Sequence, residues 1–160
     1  MNMQNSLANR PNLGEFISIV CFKSAITGME AALGEKATAI AMLAAGRARG
    51  KSLVKDLGLA NSSLDFNTIA IELNGAIGSA GTRLTAVDKI VQTDDLIQVY
   101  CSETICAAGE PDGADRMSTF TMGAIWGALS EITGKKLRGV QTGSVLRGGT
   151  HDVFEFSVIE

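Results

Sequence analysis

Histidine is almost missing from this chain: His151 is the only one, so a Ser-His-Asp or Cys-His catalyst would have to be built around it. It stands beside Gly148 and Gly149 in a stretch with turn chemistry. That favours a solvated loop residue over a catalytic base, with Asp115 and Asp152 the candidates for orienting it. No G-x-S-x-G, H-E-x-x-H, Walker-type or dinucleotide fingerprint occurs either. The glycine-rich run at 73–81, LNGAIGSAG, follows a helical pattern instead of joining a strand to a helix, so it does not read as a phosphate cradle. No catalytic residue, and hence no enzyme, is expected.

Cysteine is scarce too. Cys21, Cys101 and Cys106 are an odd count without a dense framework, which excludes a disulfide scaffold and suits a reducing compartment, the cytoplasm by default. Cys101 and Cys106 have no second Cys/His pair to complete a tetrahedral site, and Cys21, between Val20 and Phe22, reads as a small buried hydrophobe. No run reaches the ~18 charge-free apolar residues of a spanning helix, and the polar start MNMQNSLANRP has no apolar signal region, so neither a membrane span nor export is expected. Basic residues are also few and scattered, 14 against 17 acidic, for a net charge of -3, which excludes a phosphate-binding footprint and with it nucleic acid as a partner.

What the chain does have is apolar content. At 46% apolar and 19% charged, 160 residues can bury one core, and disorder is excluded. Residues 1–12, which contain Pro11, read as a flexible arm, and 13–160 as one domain. Three- and four-residue spacing through Phe16, Ile19, Val20 and Ile26, and through Ile40, Leu43 and Leu53, predicts helices at 14–32 and 35–57, with Gly34 and Gly58 just beyond their ends. A third helix is predicted at 65–78, capped by Asn61, Ser62 or Ser63. The period then switches. The short β-branched runs at 83–91 and 96–101 around Asp94 and Asp95 predict an antiparallel pair, a loop follows at 107–114, and a helix apolar on nearly every side is predicted at 115–133. Strands at 136–147 and 151–158 flank Gly148, Gly149 and Thr150 as a hairpin. The class is α+β: an antiparallel sheet of about four strands against a helical layer, a ligand-binding-domain type of architecture.

Gly123 and Gly127 lie four apart on the buried helix, as do Gly46 and Gly50 on the second, and each pair permits close approach of another backbone or of a flat ligand. Both uses remain open. Met117, Phe120, Met122 and Trp126 are likewise either plain core or the soft wall of a pocket.

The last third, RMSTFTMGAIWGALSEITGKKLRGVQTGSVLRGGTHDVFEFSV, resembles the carboxyl-terminal signature of the 4-vinyl-reductase-like family. An aromatic residue and two glycines open a buried helix, a glycine ends it and two strands close the domain, places held here by Phe120, Gly123, Gly127, Gly134, Val140, Phe156 and Val158. LAAGRARGKSL, with Gly46 and Gly50, resembles the family's early helix. The resemblance implies the broad fold of vesicle-tethering (transport protein particle) subunits and NO-sensing ligand-binding domains. Zinc-binding members would place ligands at positions that fall here on Ser118, Gln141, Ser144 and either Val153 or Phe154; since serine and glutamine are poor ligands, no metal and no cofactor is expected.

The function expected is binding of an apolar small molecule (hydrocarbon, fatty or tetrapyrrole-like) by a sensor or carrier, at Phe16, Val20, Leu43, Phe120, Gly123, Trp126 and Gly127, over a sheet floor of Phe154 and Phe156. The alternative is a dimeric interaction scaffold with a filled core, and the third an accessory protein in chlorophyll-type pigment synthesis. A homodimer is expected through the alanines Ala25, Ala31, Ala32, Ala41, Ala44, Ala45 and Ala48, with Gly46 in the same stripe.

Overall fold

Helix α1 runs Ile19–Leu33, starting five residues later than the periodicity through Phe16 predicts. The reason is local. Gly14 takes a left-handed φ of 66°, and Ser18 stays extended so that its Oγ accepts from Val20 N at 3.3 Å, placing the cap inside the expected helix. Helix α2, Glu35–Leu57, has the expected bounds. Gly34, with φ 86°, is the single residue between the two helices, and Gly58 closes α2 in the left-handed region with its N–H on Val54 O and Lys55 O. Helix α3, Phe66–Ile77, is capped by Asp65 instead of Asn61, Ser62 or Ser63: its carboxylate accepts from Asn67 N and Thr68 N, both at 3.0 Å. The computed structural model describes residues 10–159, so most of the arm at 1–12 lies outside the described residues.

Strands β1 (Ala86–Thr93) and β2 (Leu96–Ser102) form the first hairpin, and β3 (Leu137–Gly143) and β4 (Asp152–Val158) the second. The strand predicted at 136–147 stops at Gly143 because Ser144 caps a 3-10 turn over Val145–Arg147. Pairing of β2 with β4 joins the hairpins into one antiparallel sheet of order β1-β2-β4-β3, giving the α+β class predicted from sequence. Alternation puts Ile97, Val99 and Cys101 on the same face as Phe154 and Phe156, and all five are buried. Val99 lies opposite Phe154 and Ile97 opposite Phe156.

Helix α4 spans Thr119–Thr133, later than the predicted start at 115, because Ser118 takes the cap position and its backbone N–H goes to Gln141 Oε1 at 2.8 Å. Its crossing with α2 organises the molecule. A Cβ on Gly46 would fall on the carbonyl oxygen of Phe120, one on Gly50 on that of Ala124, one on Gly123 on that of Leu43, and one on Gly127 on that of Arg47. Each glycine pair is thus the seat for the other helix's backbone. Interior glycines cost about 1 kcal/mol each relative to alanine, offset here by an approach that no side chain would permit.

Candidate ligand cavity

Beside the crossing of α2 and α4, small residues line a space that α3 also borders. Gly50 rests on Ala124, and Ala124 and Ala128 present only methyl groups toward α3. Leu53 of α2, Leu73 and Ile77 of α3, and Leu84 and Ile105 beside the first hairpin complete an apolar wall. Hydrogen bonds fix those last two segments: Leu84 N donates to Ile77 O at 2.8 Å and Ile105 N to Leu84 O at 3.0 Å. From α1, Phe22 lines the space edge-on to Phe120, with ring centroids 5.5 Å apart. The volume is about 240 Å³, partly open to solvent, and only Arg49 and Thr82 bring polar side chains to it. A cavity of ~150 Å³ admits benzene, so this one takes one or two rings or a short carbon chain.

Of the seven residues expected to bind ligand, Phe120 alone lines this cavity. Gly123 and Gly127 face the α2 backbone, so the expected trough is filled by a helix. Phe16 and Val20 are 55% and 66% exposed, the former with the Arg83 guanidinium 4.9 Å from its ring. Leu43 packs against the main core, and half-buried Trp126 has Arg47 over its ring at 4.4 Å. Phe154 and Phe156 are filled core, not a floor beneath a guest. Phe22, Leu53, Leu73, Ile77, Leu84 and Ile105 escaped the sequence reading because each looks like ordinary helix or strand interior. The small residues at 50, 124 and 128, seen together, are the signal that they surround a gap.

Two of the positions expected to replace metal ligands, Ser118 and Gln141, meet beside Asp152. Asp152, fully buried, accepts from Thr104 Oγ1, from Gln141 Nε2 at 3.3 Å and from Val145 N at 3.2 Å. Ser118 Oγ lies 3.3 Å from Thr104 Oγ1. The acid at this cluster is Asp152, whereas the resemblance puts the acidic position on Gln141 and a last cysteine position on Val153 or Phe154; neutral donors surround the Asp152 carboxylate. Burial pushes the Cys101 thiol up to about 12, so it stays protonated. Cys106 is buried, whereas Cys21 is exposed, contrary to the sequence reading, because α1 turns that side outward. His151 sits in the turn before β4, its Nδ1 2.9 Å from Thr150 Oγ1 and its Nε2 3.8 Å from Asp88, so neither Asp115 nor Asp152 orients it.

Four charges tie α1 to the 103–118 segment. Arg116 grips Glu30 through two nitrogens, at 2.7 and 2.9 Å, and its Nε lies 2.5 Å from Glu110. Lys23 pairs with Glu110 and donates to Cys106 O at 2.7 Å. The Arg116 hydrogen bond holds the Glu30 carboxyl below its usual range, and the Lys23 hydrogen bond does the same for Glu110.

No protein-family model and no curated protein matches the chain. Solved structures do share its fold. One is the phenol-responsive sensory domain of the transcription activator PoxR with phenol, at 12% identity and a TM-score of 0.64, covering 98% of this chain and 90% of that one. Another is trafficking protein particle complex subunit 3 from Naegleria fowleri, covalently bound to palmitic acid, at 13% identity and a TM-score of 0.59, covering 89% and 93%.

Proposed function

We propose that residues 13–160 are a 4-vinyl-reductase-like ligand-binding domain that holds a small apolar molecule, as the sensing or carrying part of a cytoplasmic protein. The observation that carries this reading is the apolar cavity of about 240 Å³ between α2, α3 and α4. Support comes from two proteins of like fold, one crystallised with phenol and the other bearing palmitic acid. The volume favours a guest of one or two rings over a palmitate-length chain or a tetrapyrrole. Three free cysteines suit a reducing compartment.

A homodimer belongs to the same proposal. Ala25, Ala31 and Ala32 of α1 and Ala41, Ala44, Ala45 and Ala48 of α2 are all exposed, together with Val20, Leu33 and Ile40, an apolar outer face for which a second copy is the natural cover. Gly46 is not part of that face, since it seats α4. The same face also supports the scaffold alternative, in which the partner surface and not the cavity is the function.

The fluorescent two-ring probe 1-aminonaphthalene, which matches the cavity's volume, tests the reading. It should bind the parent saturably, and phenol, ethylphenol and butylphenol should displace it with rising affinity, by up to ~0.8 kcal/mol per buried methylene, until the space is full. Ala128→Leu should fill the gap and remove binding. A parent that binds no probe, or an Ala128→Leu protein that binds it equally well, would leave the scaffold as the better account.

A further inference from the structure

Lys23, Arg47 and Arg116 are half-buried cations, and each has a partner: Lys23 and Arg116 meet Glu110, and Arg47 lies over the ring of Trp126. Arg49 is half-buried too, yet among the described residues no carboxylate, hydrogen-bond acceptor or ring stands against it. Its own helix supplies none. The residues three and four away on either side are Ala45, Gly46, Ser52 and Leu53, so no ion pair can form along α2. Lys36, Lys51, Lys135, Lys136 and Arg138 also lack an ion pair, but they are exposed and have water instead. Arg49 lines the apolar cavity. A guanidinium at that depth gives up part of its hydration with no counter-charge to offset the loss.

We infer that the guest is amphiphilic, a small aryl or short alkyl acid whose carboxylate pairs with Arg49 while its apolar body lies against Leu73, Ile77, Ala124 and Ala128. That class of guest rests on the proposed cavity being the binding site. Arg49 is well placed for the role. Gly50, the next residue, seats the carbonyl of Ala124 with no room for a Cβ, so the backbone that carries Arg49 is pinned to the cavity wall. No Asp or Glu lines the cavity to compete for the guanidinium; Glu30, Glu35, Glu110 and Asp115 gather round a separate polar cleft. Thr82 adds a hydroxyl at the same cavity, its backbone held by a hydrogen bond from its N–H to Ala76 O at 3.0 Å. The planar fork of arginine matches a carboxylate in shape as well as charge. Because the cavity is partly open, the acid keeps some of its water, and burying its apolar body does not require full dehydration of the ion pair. A neutral hydrocarbon of the same size would displace water from beside Arg49 and return nothing to it.

Displacement of 1-aminonaphthalene by 3-phenylpropanoate and by its neutral isostere 3-phenylpropanamide, at neutral pH and low salt, tests this in the full chain. The acid should displace the probe at a concentration about five- to tenfold below that of the amide, since a charge-assisted pair replaces a neutral hydrogen bond. Sodium chloride should narrow that gap. In Arg49→Met and in Arg49→Gln the gap should close while probe and amide bind as they do to the parent, and Arg49→Lys should keep part of it. In the parent, the Arg49 Nε–Hε resonance should shift with the acid and stay still with the amide, a readout that needs no variant. Equal affinity for acid and amide, or a resonance that the acid does not move, overturns the anionic guest while probe binding still supports the cavity. A preference for the acid that persists in both neutral variants overturns Arg49 as its anchor. A parent that binds neither probe, amide nor acid overturns the cavity reading, and the anionic guest with it.

Discussion

At the level of single residues, the four crossing glycines behave as a lock. Any side chain at Gly127 meets Arg47 O, and any at Gly50 meets Ala124 O, so backbone would have to move. Gly127→Leu is expected to cost more than the ~1–3 kcal/mol of ordinary overpacking, and Gly46→Leu to act as strongly by the same route; urea unfolding measures both. A loss below 1 kcal/mol would show the helices free to separate. The cysteines make a second test. Exposed Cys21 should react quickly with a thiol reagent at neutral pH, whereas Cys101, buried with its thiol held protonated, and buried Cys106 should react only on unfolding. Equal reactivity of all three would contradict the burial. The carboxylates that tie α1 to the 103–118 segment give a pH dependence. Glu30 and Glu110 have folded pKa values below their unfolded ones, so the folded state binds fewer protons there. Their contribution is complete above the ordinary carboxylate range and fades as pH falls through the depressed values. Exchange protection of α1 should fall in that acidic window ahead of α2, and Glu30→Gln should flatten the response.

At the level of elements, what the sequence makes legible depends on whether the signal is local. The bounds of α2 are readable because its period is regular and glycines stand at both ends, and the hairpins are readable because turn residues separate β-branched runs. The start of α1 was not, since Phe16 continues the apolar period while Ser18 and Gly14 have already set the cap and turn. The α4 start failed for a different reason: Ser118 is drawn toward Gln141, a residue 23 positions on, and no local pattern carries that. The candidate site shows the same division. Phe120, an aromatic residue on the apolar helix, is readable as a wall residue. The rest of the wall is not, because Gly50, Ala124 and Ala128 mark a gap only once α2 and α4 are known to cross. Glycine pairs four apart announce a close approach, yet only tertiary structure tells whether a ligand or a helix makes it.

For the whole molecule, α2 and α4 cross backbone to backbone over the sheet to make one body, and α1 with the outer side of α2 carries its exposed apolar face. Sedimentation at micromolar concentration should show a species of two chains, and replacing Ile40 and Ala44 with glutamate should return it to one; a single-chain species for the parent would remove the dimer from the account. The proposal that this body exists to hold a small apolar guest is tested most directly by methyl NMR during titration with toluene. Saturable shifts should be confined to the methyl groups of Leu53, Leu73, Ile77, Leu84 and Ile105, which surround the cavity, while those of Ile132 and Leu137 stay still. Absence of any saturable shift, or shifts confined to Val20, Leu33 and Ile40 on the outer face, would contradict it.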